Sequence, residues 1–196
     1  MYRKIVFSAV ILFLSIFSSN AQTAQIQEGS IINGPDGRPA GVVFHYDAQT
    51  GTGLMVSLVD IQLPWGTVGV NISRINDHLN GVVAARDSYG LVNTAAILTT
   101  LGTKTEYAAR WCFELNAGGL TGWYLPSGGE LSLLQSKRQI VNPALQSAGS
   151  TPINGLHWSS TQGNDNRAWC VNLGAGGDIH AADKNLARRV RAIRKF

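Results

Sequence analysis

Short apolar runs in the first third of the chain predict an antiparallel hairpin. Residues 41–46 and 54–59 are rich in β-branched and aromatic side chains, and the turn formers of residues 47–53 separate them. Residues 65–89 carry Gly, Asn, Ser and Asp without clear periodicity. So long an irregular stretch is unusual in a compact domain, and we interpret it as cover for one face of the core.

The middle of the chain changes to helical spacing. Within residues 105–115, Tyr107, Trp111 and Leu115 recur every four positions, which predicts the strongest helix of the chain. A shorter helix is predicted over residues 95–101, with Asn93 or Thr94 as its cap.

The stretch Gly122-Trp-Tyr-Leu-Pro-Ser-Gly-Gly-Glu-Leu131 predicts the start of another helix. Ser127 and Glu130 have capping-box spacing, in which each side chain takes up a backbone N–H of the first helical turn. Leu131, Leu133 and Leu134 then give this helix an apolar face, and we expect it to run to about Gln139.

The last quarter of the chain reads as short strands with polar loops. The predicted strands cover residues 157–160, 168–173, 178–182 and 188–194. Because the helices are segregated from the strands in sequence, the pattern indicates the α+β class.

The N-terminus predicts export. Residues 1–21 combine a charged start, an apolar run and small residues before Gln22, so we expect a signal peptide cleaved after Ala21. A membrane anchor is the alternative, but the apolar run is short for a bilayer span. Residues 22–28 form a polar lead-in. We therefore expect a secreted, periplasmic or outer-surface protein without a membrane span.

Charge does not favour nucleic acid as a partner. The chain has 16 basic and 12 acidic residues, a formal net charge of +4. Removal of Arg3 and Lys4 with the signal peptide lowers this value to +2.

Two cysteines, Cys112 and Cys170, can be interpreted in three ways. In an oxidising compartment they form a candidate disulfide. Two buried thiols, or one reactive thiol, also fit the sequence.

The ordered motifs resemble the bacterial Lcl C-terminal-like domain family. The resemblance covers about residues 29–196 as a single domain and rests on these segments: 41–44, Trp65-Gly66, Gly90 with Asn93-Thr94 and Ile97, Ala108-Ala109 before Cys112, 123–127 with Glu130-Leu131, Trp158-Ser-Ser-Thr161, Ala168-Trp169 and Val190-Arg-Ala-Ile-Arg194.

The resemblance implies a C-type-lectin-like fold, with two helices packed on short antiparallel strands and long loops, akin to the formylglycine-generating enzymes. It also implies roles in adhesion, including binding to sulfated glycans. The sequence lacks the Glu-Pro-Asn or Gln-Pro-Asp and Trp-Asn-Asp triplets of calcium-dependent lectins. We predict no cofactor, with calcium at Asn164-Asp165-Asn166 as an alternative. The cysteines lie far apart in sequence and the histidines show no metal spacing, so we predict no enzyme activity and no catalytic residue.

We therefore expect a non-catalytic binding module for a glycan or protein on another surface; the oligomeric state stays open. The candidate ligand residues are Gln162, Asn164, Asp165, Asn166, Arg167, Asp178, His180, Asp183, Lys184, Asn185 and Arg188. The expected structural residues are Trp123, Leu125, Pro126, Glu130, Trp158, Trp169, Arg191 and Arg194.

Two charge assignments follow from these expectations. Arg191 and Arg194 would pair structurally with Glu130, whereas Lys184 and Arg188 would be free at the loop edge to meet an anionic glycan. Two different functions also fit the sequence: a structural subunit of a fimbria-like assembly, or a receptor-binding protein diversified by a retroelement.

Overall fold

A computed structural model of the chain describes residues 25–73 and 80–196. The predicted signal peptide, its cleavage site and His78 lie outside these residues. In the described part, nine strands form two sheets, and five helices pack against them. The strands are β1 (Ile31–Asn33), β2 (Pro39–Asp47), β3 (Thr52–Ser57), β4 (Ile61–Pro64), β5 (Leu156–Gln162), β6 (Arg167–Asn172), β7 (Ile179–Asp183), β8 (Ala187–Val190) and β9 (Ile193–Lys195).

The helices lie between β4 and β5 in sequence. They are α1 (Gly81–Ala84), α2 (Gly90–Leu101), α3 (Ala108–Glu114), α4 (Gly128–Ser136) and α5 (Arg138–Ser147). The predicted α+β class is thereby confirmed.

The first sheet contains the predicted hairpin. Its strand order is β1-β2-β3-β9, and β2 pairs antiparallel with β3 through a turn in which Gly51 adopts a positive φ of 68°. The second sheet has the order β4-β8-β5-β6-β7. Its pairs are antiparallel except β5 with β8, which run parallel.

The start of α2 differs from the prediction because polar side chains serve tertiary contacts instead of caps. Helix α2 begins at Gly90, five residues before the predicted start. Asn93 and Thr94, the predicted caps, lie inside this helix. The Asn93 amide donates to Asp87, and the Thr94 hydroxyl donates to Leu125 O, so both side chains fasten the helix to neighbouring segments.

Helix α5 has no counterpart in the sequence prediction. Instead of running to Gln139, α4 ends at Ser136, and α5 continues to Ser147 with Pro143 inside it. A proline in a helix interior removes one backbone hydrogen bond. Burial of Val141 and Leu145 on either side of it fixes the helix against the core, and packing of this kind outweighs local propensity.

The terminal strand is divided between the two sheets. The sequence pattern predicts one strand over residues 188–194, but β8 pairs with β4 and β5 in the second sheet, whereas β9 pairs with β3 in the first. Arg191 and Ala192 form the link. The prediction of one continuous strand is therefore wrong, and this link joins the sheets.

The core consists of two clusters. One surrounds the fully buried indoles of Trp65, Trp123 and Trp158, and the other lies between the first sheet and helices α4 and α5. Cys112 on α3 and Cys170 on β6 both belong to the first cluster, and both are buried free thiols. The structure therefore has two buried thiols, and the candidate disulfide is not formed.

Candidate functional site

The structure confirms the predicted capping box of Ser127 and Glu130. This capping box is part of a larger network of buried polar groups. The carboxylate of Asp87 accepts hydrogen bonds from Asn93 (2.8 Å) and Thr161 (2.6 Å), while its carbonyl oxygen accepts from Ser127 Oγ at 2.5 Å. These bonds tie α2, α4 and β5 to one loop. The network satisfies buried polar groups, which makes it part of the scaffold.

Glu130 lies in this network and is 6% exposed. Its Oε1 accepts from Tyr124 Oη at 2.9 Å, and its Oε2 accepts from Ser127 N at 2.8 Å. Burial raises the pKa of this carboxyl, an effect that its hydrogen bonds and Lys195 only partly offset. Glu130 is therefore held by a phenol, an amide and a hydroxyl, and the predicted partnership with Arg191 or Arg194 is wrong.

Arg191 instead pairs with Asp60. The Arg191 side chain is fully buried, and its Nη2 lies 3.4 Å from Asp60 Oδ2. The same oxygen accepts from Arg189 Nη1 at 3.0 Å and lies 3.5 Å from His157 Nε2. Arg194 donates to the carbonyl oxygen of Thr121 and stays near the surface. No local sequence pattern marks Asp60, which follows β3 in an apolar stretch.

Most of the predicted ligand residues lie exposed along the β6–β7 hairpin and in the loops at its two ends. We call this region the loop face. Its exposed members are Asn164, Asp165, Asn166, Arg167, Asp178, His180, Asp183 and Asn185.

Hydrogen bonds of backbone groups hold the loop between β5 and β6 in place. Asn164 Oδ1 accepts from the amides of Asn166 and Arg167, each at 2.9 Å. The carbonyl oxygen of Asp165 accepts from Gly69 N at 3.1 Å, and that of Asn166 accepts from Lys184 N at 3.0 Å. The loop is thus fixed to two other segments while its side chains stay exposed.

Two predicted ligand residues lie inside the protein. Gln162 and Lys184 are fully buried, and Lys184 Nζ donates to Gln162 Oε1 and to Val70 O, each at 2.8 Å. The ammonium also lies 4.6 Å from the ring centroid of Trp65, a cation–π contact. Arg188 is half-buried, with a buried Nε. The assignment of Lys184 to an exposed anion site is therefore wrong.

The electrostatics of the loop face also oppose an anionic ligand. Asp165, Asp178 and Asp183 supply three exposed carboxylates. The exposed guanidinium of Arg167 lies 3.1 Å from Asp183, with which it forms an ion pair. Neutral or cationic groups match this surface better than sulfates.

No group of three or more His, Cys, Asp or Glu side chains converges as a metal site in residues 25–73 and 80–196. In the loop considered for calcium, Asn164 Oδ1 already accepts two amides, and Asp165 Oδ1 accepts from Asn71.

A second candidate site is a pocket of about 730 Å³ between the first sheet and the start of α4. The lining residues are His45, Thr52, Gly53, Leu54, Ser88, Gly129, Glu130, Leu133, Lys195 and Phe196. These come from five separate segments of the chain, which explains why no local sequence pattern indicated the pocket.

Comparison with known proteins assigns the chain to a family. Residues 74–194 match the Lcl C-terminal domain model, so the protein belongs to the Lcl C-terminal domain family, as its motifs predicted. Among curated proteins, no sequence matches the chain significantly.

A solved structure resembles the fold. A fimbrial protein from Bacteroides ovatus ATCC 8483, with a crystal structure at 1.85 Å resolution, superposes with a TM-score of 0.52 at 19% sequence identity. The match covers 72% of this chain and 35% of that protein, so this chain corresponds to about a third of its length. In the part of this chain that the structure describes, no helix has the length and apolarity needed to span a membrane.

Proposed function

We propose that this chain is an exported, surface-associated, non-catalytic binding module that recognises a neutral, hydroxyl-rich glycan through the loop face. Membership in the Lcl C-terminal domain family and the fold likeness to a fimbrial protein support the surface-associated role. The glycan preference rests on the chemistry of the loop face.

The observation that carries the proposal is the fixed backbone of the loop between β5 and β6. The Asn166 side chain is exposed, although the backbone around it is hydrogen-bonded to the segments that contain Gly69 and Lys184. Binding loses less conformational entropy when the recognition loop is already ordered. Exposed amides and carboxylates can together donate to and accept from sugar hydroxyls.

A glycan array with residues 22–196 tests this proposal. We expect neutral glycans to bind in preference to sulfated ones, because three carboxylates lie on the loop face. Asn166→Ala should weaken this binding without a change in the melt, whereas Asn116→Ala, at an exposed amide beyond α3, should leave it unchanged. Equal binding by both variants, or a preference for sulfated glycans, would refute the loop-face assignment.

A structural subunit of a fimbria-like assembly is the second candidate function. The fold likeness to a fimbrial protein favours it, as does the edge position of β7, which is the last strand of its sheet among the described residues. An edge strand can pair with a strand of another chain. Light scattering across a concentration series tests this function: growth of the particle mass supports assembly, and a constant monomer mass opposes it.

A further inference from the structure

The pocket beside α4 lies where the second core cluster opens to solvent. Across the first sheet, His45 pairs with Leu54, and Leu54 pairs with Lys195. Cross-strand partners point to the same face of a sheet, so these three side chains form one row. Leu54 and Leu133 on α4 both pack against the edge of the cluster and both line the pocket, where they supply an apolar floor.

The polar groups around this floor are unevenly distributed. The side chains of His45 and Lys195 are exposed on the sheet side, and Lys195 has no ion-pair partner among the described residues. Ser88 and Thr52 add hydroxyl groups at the rim. The pocket thus combines an apolar floor with one accessible cation.

Glu130 is the acidic side chain of the lining, and other groups of the protein occupy both of its carboxyl oxygens. Oε1 accepts from Tyr124 Oη at 2.9 Å. Oε2 accepts from Ser127 N at 2.8 Å and lies 3.0 Å from Ser127 Oγ. Glu130 is also only 6% exposed, so it presents little surface to a ligand in the pocket.

We infer that this pocket binds a small amphipathic carboxylate, with the apolar body against Leu54 and Leu133 and the carboxylate at Lys195. Its volume of about 730 Å³ lies within the range of about 300–1,000 Å³ that is usual for small-molecule sites. The inference does not rest on the proposed function, because the pocket and the loop face share no residue.

Octanoate and 1-octanol are matched probes, since they have the same chain length and differ in charge. Calorimetry and saturation-transfer NMR on the full chain should show that octanoate binds more tightly than 1-octanol. Lys195→Gln should weaken octanoate about threefold to fivefold, the effect of losing one solvent-exposed ion pair, and leave 1-octanol unchanged. Lys104→Gln, at an exposed lysine outside the pocket, is the control.

Leu133→Ala tests the floor and should weaken both probes, with a urea melt to show that the variant folds. Absence of octanoate binding to the wild type up to its solubility limit overturns the inference. Equal binding of the two probes, or an unchanged octanoate affinity in Lys195→Gln, overturns the placement of the carboxylate at Lys195.

Discussion

Replacing Asp60 with Asn tests the charge cluster that joins the two sheets. The Asp60 side chain is 8% exposed, and the Arg191 side chain that it faces is fully buried. Removing one partner of a buried ion pair costs about 3–5 kcal/mol, because the other charge stays buried without compensation. Arg191 also donates to the carbonyl oxygens of Ser57 and Thr151, which remain in the variant. We therefore expect the free energy of unfolding to fall by about 3 kcal/mol, the lower end of this range.

Arg189→Ala is the matched control, because it removes a guanidinium from the same Asp60 oxygen. The Arg189 side chain is 43% exposed, and exposed ion pairs contribute less than about 1 kcal/mol. Urea unfolding of both variants gives the free energies and, through the m-value, checks that each still unfolds from a compact state. If the free energy of unfolding falls no more in Asp60→Asn than in Arg189→Ala, the backbone carbonyls alone satisfy Arg191.

The pH dependence of unfolding is an independent readout of the same cluster. Burial would raise the pKa of Asp60, but His157 and the guanidinium groups of Arg191 and Arg189 outweigh it and hold the pKa below its ordinary value. A lowered carboxyl pKa contributes stability above the unfolded value of about 3.9, and this contribution is lost as the pH falls through the folded pKa. In the Asp60→Asn variant, this loss of stability at low pH should be absent.

Three further predictions follow from buried polar groups and thiols. Lys184→Met should destabilise by about 2 kcal/mol in urea, because Val70 O and the buried Gln162 Oε1 each lose a hydrogen bond, whereas Lys104→Met at an exposed site should change little. Burial raises the pKa of Glu130, so wild-type stability should fall as the pH rises from about 4.3 to the folded pKa, and Glu130→Gln should flatten that slope in pH-dependent melts. Burial raises the thiol pKa of Cys112, and that of Cys170 to about 12, so Ellman's reagent should titrate both thiols in denaturant and neither in the native protein.

Elements that are determined by residues close together in the sequence could be predicted from the sequence alone. The hairpin of β2 and β3 and the capping box at Ser127 follow from side chains within a few residues of each other, and both are confirmed. The position of the terminal arginines could not be predicted in this way. The chain passes from one sheet to the other at Arg191, and the partner of Arg191 lies 131 residues away at Asp60.

The burial of Lys184 shows the same limit at the candidate site. A lysine in a polar stretch next to Asn185 is usually solvated. Its burial depends on the Gln162 side chain, the Trp65 ring and the carbonyl oxygen of Val70, which the fold brings together from distant segments. The exposed members of the loop face follow the ordinary tendency of polar loop residues to lie at the surface, so the sequence could place most of them.

The residues that carry the family likeness explain why membership predicts the scaffold better than the ligand. Trp123, Leu125, Ser127 and Trp158 are fully buried, and Glu130 is 6% exposed. Their packing and hydrogen bonds are used inside the protein, so they cannot contact a partner. Recognition must depend on exposed side chains that these residues hold in place, such as those of the loop face and of the pocket rim. The ligand of this chain therefore has to be determined from its own surface, and the loop-face and pocket variants address the two candidate sites separately.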